Sequence, residues 1–512
     1  MAKLWVLAVG GTGSSVLTSF INLLASGITV PNGFEICPVI IDSDSEGTEV
    51  VAKRTKDLVS NYVNCRNSLE EGIEQGIVSF FKTKCKEAKL CGVKDDFGHF
   101  GKYIGRNGEV PFHEDDAAFI DLLFSQGAGK GLNTRTNIGF IGQPNIGSVV
   151  MRASLGSNIE FVQFMEEFTD GDKIFIVGSI FGGTGAAGIP SIAKKLREQI
   201  VNGSRRFKNA PIAACFVLPY YAVMNDPNSP IDSDTYPTRA KIALEYYTEN
   251  NSSDAYLFDV FYSIGDEDFN KVEREYKNVA GGAHQKNPPH VIEMMAANFI
   301  FDFAEREFVN NNNEYKNTEF IVFNDGMGDA RMANYSFKQG SAFCLASNYR
   351  DSFISFLLLY RFFCYLSYCS DNKEFEPNFK HQPWAENNKL TEKFNQNSIV
   401  EKFLIQFTGW LKDMQDRRPY ETKKTLSDFN INGNDFWDVI RSFLYEDDKN
   451  INGKFEGLNK LSHCLNFVEK NKTRDYTQKL NEINDTMTKT VSFFQKALEL
   501  RGIKQLENAL GG

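Results

Sequence analysis

The chain reads as an α/β protein: a Rossmann-like parallel sheet first, then a mostly helical region beyond about Gly340. Three observations predict this. Short apolar runs end directly in glycine turns, helical periodicity follows each turn, and a new apolar run follows the helix. After Gly340 the pattern becomes long and mostly helical.

The first apolar strand is Leu4 to Val9, and it runs into Gly10-Gly11-Thr12-Gly13-Ser14-Ser15. Val16 to Leu24 is the predicted helix, and Ile36 to Ile41 the second strand, ending in Asp42-Ser43-Asp44. Residues 46–140 are charged and carry scattered glycines, which predicts an insertion of helices and loops. Gly142-Gln-Pro-Asn-Ile-Gly147 opens another helix, reaching about Phe168. Asp172 to Gly178 is a buried strand with Gly182-Gly183-Thr184-Gly185-Ala186-Ala187-Gly188 at its end; a helix follows over Ile189 to Val201. Pro211 to Leu218 and Phe258 to Ile264 are further strands, with Ala240 to Glu249 an amphipathic helix between them. Pro289 to Phe308 is a long helical stretch, and a strand-like run covers Thr318 to Phe323. Four helical stretches come after it, over Asp351 to Cys369, Ile399 to Met414, Phe436 to Tyr445 and Leu458 to Leu510. The expected organisation is an α/β domain over 1–285, a long helix over 286–310, and a largely helical domain over 311–512.

The 512 residues are enough for two or more cores. Apolar residues make up 42% and the net charge is −10, the balance of a soluble acidic protein. No long Lys/Arg block argues for nucleic acid. Nine cysteines without a Cys-x-x-Cys pair, and no signal peptide, predict a reducing cytoplasm. The apolar run from Ser352 to Cys369 is interrupted by Arg361, so a buried helix is expected rather than a membrane span.

Both glycine turns sit between a strand's carboxyl end and a helix's amino end, where free amides and the helix dipole attract an anion. Glycine admits positive φ and close approach of backbone to phosphate, and Ser and Thr hydroxyls add donors. Gly10 to Gly13 with Asp42 alone would suit an NAD-dependent oxidoreductase, Asp42 gripping ribose. A dinucleotide fold has no need of a second Gly-Gly-Thr-Gly, and no Tyr-x-x-x-Lys pair stands in the right place. A fold that wraps a triphosphate from two sides does need one.

Phe181-Gly-Gly-Thr-Gly-Ala-Ala-Gly-Ile-Pro190 resembles the signature loop of the tubulin/FtsZ GTPases. Val9 to Ser15 resembles their first phosphate loop, Ile41-Asp-Ser-Asp44 the second, and Gly142 to Gly147 the third, all in the family's order. A divergent prokaryotic tubulin-like protein is what the resemblance implies. It implies GTP or GDP with Mg²⁺ as the ligand. Gly10, Gly11, Thr12, Gly13 and Ser15 would lie at the α- and β-phosphates, and Gly182, Gly183, Thr184, Gly185 and Ala186 at the β- and γ-phosphates. Asp44 would stand near the γ-phosphate and its metal, Asn145 beside the γ-phosphate, and Asp42 in the second loop. Pro219 and Tyr220 would begin the ribose loop, while His290 would stack on the base and Glu293 accept from it. Alternatively, these two are ordinary helix-surface residues.

Phe181 replaces a family glycine and Ala186 a Ser/Thr. The family's catalytic acids come from the next subunit; the nearest candidates are Asp325 and Asp329 in Asn324-Asp-Gly-Met-Gly-Asp329, whose spacing departs from the pattern and equally suits a plain turn. Glu314 is another option. The resemblance therefore implies a head-to-tail homopolymer gated by nucleotide, which could serve an effector or operon partner. A non-hydrolysing GTP-binding scaffold is the alternative.

Overall fold

The computed structural model describes residues 1–43, 50–92, 98–105, 118, 120, 122–124, 131–136, 139–140, 142–198, 206–223, 233–249, 257–265, 273–274, 288–308, 319–323, 346–371, 381–387, 398–416 and 455–510. Its first half alternates strands with helices. β1 (Lys3–Val9) passes straight into α1 (Gly10–Ala25), and β2 (Glu35–Asp42) follows. α2 (Val51–Ser68), α3 (Glu70–Glu74), β3 (Lys89–Gly92) and α4 (Phe100–Tyr103) come next. α5 (Pro144–Ser154) and α6 (Ile159–Glu167) precede β4 (Lys173–Ser179), α7 (Thr184–Glu198) and β5 (Ile212–Val217). The two-residue β6 (Ala222–Val223), α8 (Tyr236–Glu249), β7 (Val260–Ile264) and the short β8 (Glu273–Arg274) lead to α9 (Val291–Glu305) and β9 (Glu319–Phe323).

Seven described strands form one parallel sheet in the order β3-β2-β1-β4-β5-β7-β9. β1, β4 and β5 are near-continuous apolar runs because helices cover both sheet faces, which is where parallel sheets are stable. Lys3 and Lys173 stand at the amino ends of two of them. Lys3 Nζ donates to the Glu167 carbonyl at 2.7 Å. Trp5 anchors the same end through Nε1 donating to Asp172 at 3.0 Å.

Several expectations shift. Within the expected insertion, residues 51–92 join the main fold: α2 packs on α1, and β3 pairs with β2 through Val39↔Lys89 to Asp42↔Gly92. The helices expected there include the amphipathic α2, whose buried face is Ala52, Thr55, Leu58, Val59, Tyr62 and Cys65; the strand β3 was not expected. The stretch from Gly142 to Phe168 is two helices, because Asn158 caps the second by accepting from Phe161 N at 3.0 Å.

α9 is apolar on nearly all sides and packs against α1 as well as the sheet, with Phe20 and Phe301 centroids 5.0 Å apart. It starts at Val291 rather than Pro289, with His290 as its N-cap. Lys173 closes its other end, donating to the carbonyls of Phe303, Ala304 and Arg306 at 3.2, 2.9 and 2.5 Å. Burial pulls this amine down from 10.5 to about 8.

The second half is helical: α10 (Ala346–Asp371), α11 (Pro383–Asn387), α12 (Ile399–Asp416), α13 (Phe455–Asn471), α14 (Arg474–Glu482), α15 (Thr486–Arg501) and α16 (Ile503–Leu510). The last four divide the single stretch expected from Leu458 to Leu510. α10 and α12 share a core with the α/β half, as Phe80–Phe356 and Phe81–Phe403 contacts at 5.2 and 5.1 Å show. Thr488 Oγ1 also donates to Ser68 O at 2.9 Å. Among the described residues no helix is long and apolar enough to cross a membrane. Arg361, the break in the apolar run of α10, donates from Nη1 to Leu510 O at 2.9 Å. The predicted helix from Phe436 to Tyr445 and the chain end Gly511-Gly512 lie outside the described residues.

Candidate functional site

The chain leaves β1 toward β2 and β3 on one side and later builds β4, β5, β7 and β9 on the other. The topological switch therefore falls between β1 and β4, which pair in register through Ala8↔Val177. In open parallel sheets the crevice for a ligand opens at that point, outside the strand carboxyl ends. Both glycine turns stand there, one after each of these two strands.

The turns are tighter than the sequence suggests. α1 starts at Gly10 and α7 at Thr184, so most of the glycine residues belong to the first helical turn rather than a preceding loop. Gly10 has φ of +71°, and a Cβ there would lie 3.1 Å from Cβ of Thr184 and 3.6 Å from the amide nitrogen of Gly185. The two corners, 174 and 175 positions apart in sequence at the residues that meet, are thus in contact. A Cβ on Gly183 would stand 3.0 Å from the Gly142 amide nitrogen, which brings the turn before α5 to the same place. Gly13 and Gly185 serve another purpose. Side chains there would collide with the carbonyls of Val177 and Ser179, so these glycines let the helices sit down on the strands.

The amino end of α1 has no side-chain cap and no acid in its first turn. Its leading amides are orphans of the helix and are oriented for an outside acceptor. At α5, the N-cap Gln143 does not cap either. Its side chain accepts from Gly131 N at 2.9 Å and donates to Thr134 Oγ1 at 2.6 Å. Asn145, the second residue of α5, is exposed, whereas Gly11, Thr12, Gly182, Thr184 and Ala186 are half-buried. Ser15 is buried behind them. The hydroxyls of Ser14 and Ser43 are buried without a hydrogen-bond partner among the described residues. Asp42 ends β2 and is 6% exposed. Asp44, Glu314, Asp325 and Asp329 lie outside the described residues. No group of three or more His, Cys, Asp or Glu among the described residues is arranged to hold a metal.

Beyond the end of β5, a cluster of buried side chains stands at the start of α9. Leu218 N donates to Ile264 O at 2.7 Å and so ties the end of β5 to β7; Pro219 and Tyr220 behind it are buried. His290 accepts on Nδ1 from Ile292 N at 3.1 Å, and His290 N donates to Glu293 Oε2 at 2.9 Å. Tyr220 OH donates to the other oxygen, Oε1, at 2.6 Å. Both are buried rather than ordinary helix-surface residues, at 5% exposure for His290 and 1% for Glu293. Glu293 already accepts on both oxygens, and the His290 ring stands 5.0 Å from that of Tyr220.

Sequence reasoning missed Ser179 and Phe140, whose backbones shape the mid-chain turn, and Ser43. It also read Phe181 only as a lost glycine. Phe181 is buried among Tyr220, Tyr221 and Tyr236, with centroids at 6.3, 5.8 and 4.7 Å, and so links the mid-chain turn to the loop after β5. The pair Tyr220-Tyr221 directly after Pro219 was the available signal for that cluster.

No family model matches the chain, and no curated protein does. Among solved structures, CetZ from Methanosaeta thermophila strain DSM 6194 is similar at 16% identity and a TM-score of 0.28. The match covers 60% of this chain and 53% of that one, so the chain spans about half the length of that structure. A likeness at that TM-score carries no argument about what this chain does.

Proposed function

We propose that the chain binds a guanine nucleotide in the crevice at the carboxyl ends of β1, β2 and β4, and assembles head to tail when it is bound. The observation that carries the binding is the contact between Gly10 and Thr184-Gly185. It places two glycine-rich helix starts of distant origin beside one another at the switch point, a geometry suited to a polyphosphate flanked on two sides. The Gly142 turn supplies a third wall. The uncapped start of α1 and the hydroxyls of Ser14 and Ser43, without a partner among the described residues, are consistent with a strongly hydrogen-bonding anion.

In this reading, Gly10, Gly11, Thr12, Gly13 and Ser15 hold the α- and β-phosphates. Gly182 to Ala186, with Asn145, hold the β- and γ-phosphates. Asp42 and Asp44 stand at the second loop, where Asp44 holds Mg²⁺, a cation that would neutralise phosphate charge. Pro219 begins the ribose side, and His290 and Glu293 face the guanine. The choice of guanine rests on the resemblance of the four loops to those of the tubulin/FtsZ GTPases. So does the role of Asp325 and Asp329, which would reach the nucleotide of a neighbouring subunit.

The test is to denature the purified protein and identify what it releases. GTP or GDP is expected; NAD, ATP or nothing would contradict the reading. Turnover rising steeply with protein concentration, together with filaments seen by negative stain only with GTP, would separate an assembling GTPase from a non-hydrolysing scaffold.

A further inference from the structure

A cavity of about 610 Å³ runs from the glycine turn at Gly182 along the outer side of α7 between α5 and α8, and Asn145 also lines it. Its floor is one stripe of α7: Ala186, Pro190, Ser191, Lys194, Lys195 and Glu198. That spacing keeps one helical face over three turns, roughly 18 Å at 1.5 Å per residue. Small side chains at the start of the stripe leave the trough. α5 forms one wall and contributes Arg152; α8 forms the other with Arg239, Ile242 and Tyr246. Ile242 and Tyr246 stand one turn apart and are 61% and 47% exposed, an apolar ridge facing solvent.

The charge of this trough opposes that of the chain. Arg152, Lys194, Lys195 and Arg239 face only Glu198 among its lining residues, on a protein of net charge −10. None of the four takes part in an ion pair among the described residues. Arg239 donates one hydrogen bond, Nη1 to Gly142 O at 3.0 Å, which fixes the α8 wall to the loop before α5.

We infer that this trough is a docking site for an acidic amphipathic helix of a partner protein, about three turns long. Charge complementarity and an apolar ridge side by side are what such a helix requires, apolar residues at i and i+4 meeting Ile242 and Tyr246 and flanking carboxylates meeting the lysines and arginines. A free polyphosphate would use the cations and leave the ridge bare. Asn145, Gly182 and Ala186, which the proposed function sets at the β- and γ-phosphates, line the same cavity at its glycine-turn end; the lysines and the apolar ridge lie further along α7 and α8, and the docking rests on those and not on the three shared residues.

The experiment is selection from a displayed library of random 14-residue peptides on the wild-type chain, with Lys194→Glu/Lys195→Glu and Ile242→Asp variants as counter-targets. Far-UV circular dichroism should be unchanged in both variants, because the altered side chains lie at the surface. Acidic peptides with apolar residues at i and i+4 are expected to be enriched. The charge-reversed variant should bind them about tenfold or more weakly, and added salt should weaken binding to the wild type. Enrichment of peptides without acids, or undiminished binding to both variants, would overturn the proposal. So would displacement of bound peptide by tripolyphosphate with equal affinity for wild type and Ile242→Asp, which would assign the trough to a small anion. A variant-dependent change in oligomeric mass without peptide enrichment would assign it to contact between copies.

Discussion

Two helices of this protein begin at the same four-residue motif, Gly-Gly-Thr-Gly, and meet opposite surroundings. α1 is buried along almost its whole length, between the sheet, α2 and α9. α7 buries Gly185, Ala187, Gly188, Ile189, Pro190, Ile192, Ala193 and Leu196, and turns its other face to an open trough. The shared motif fixes only how a helix starts at a strand end. The residues beyond the motif decide where the helix lies: Val16, Leu17, Phe20, Ile21, Leu23 and Leu24 surround α1 with apolar contacts, whereas Lys194, Lys195 and Glu198 keep one side of α7 in water.

The largest expected effect breaks both helices alike. Gly13→Val and Gly185→Val each drive a side chain into a strand carbonyl, and each should cost about 4 kcal/mol or more. Loss of soluble, helical protein by circular dichroism would be the readout. Gly409→Ala, in open space on α12, should leave the protein stable or slightly stabilised. Equal tolerance of all three would mean that the close seating of the two helices is wrong.

A smaller effect sharpens the comparison. Thr12→Glu and Thr184→Glu put a carboxylate at each half-buried corner with the fold intact. If both corners hold one polyphosphate, each should weaken nucleotide retention roughly 30-fold or more through like-charge repulsion. If only one variant loses nucleotide, the two corners do not share a ligand.

These corners were legible because their chemistry is written locally: a strand, glycines and a helix are contiguous, and two copies of the motif can be counted. Their contact was not legible in either copy, since it depends on the order in which strands pair. The role of residues 51–92 was hidden for a similar reason. β3 is four residues of modest apolarity, and only its pairing with β2 makes it a strand of the main sheet. At the start of α9, His290 and Glu293 could be placed at a helix start, but not the bond that Tyr220, 73 positions earlier, donates to Glu293.

That bond gives the next prediction. Tyr220→Phe and Glu293→Gln should each destabilise by about 1–3 kcal/mol, measured by urea denaturation, because a buried group loses its partner. If Glu293 also reads the base, Glu293→Gln alone should lower the proportion of guanine among released nucleotides. Stability loss with unchanged guanine preference would confine it to capping α9.

The smallest effect concerns Lys173. Its folded value of about 8 lies below the ordinary 10.5, so between those values the unfolded chain binds more protons and this group's contribution to stability rises with pH. Relative to Lys173→Met, the wild type should therefore gain stability from pH 7 to pH 10. Burial pushes the Cys37 and Cys91 thiols up to about 12, which lowers stability as pH rises above 9. That contribution is common to both proteins and cancels in the difference. A difference independent of pH would contradict a depressed amine.

Backbone amide exchange, followed with and without GTP, tests the shared-ligand claim most directly. GTP should slow exchange together at residues 10–13 and 182–185, while NAD at the same concentration should slow neither. Protection of one segment alone, or of both by NAD, would contradict it.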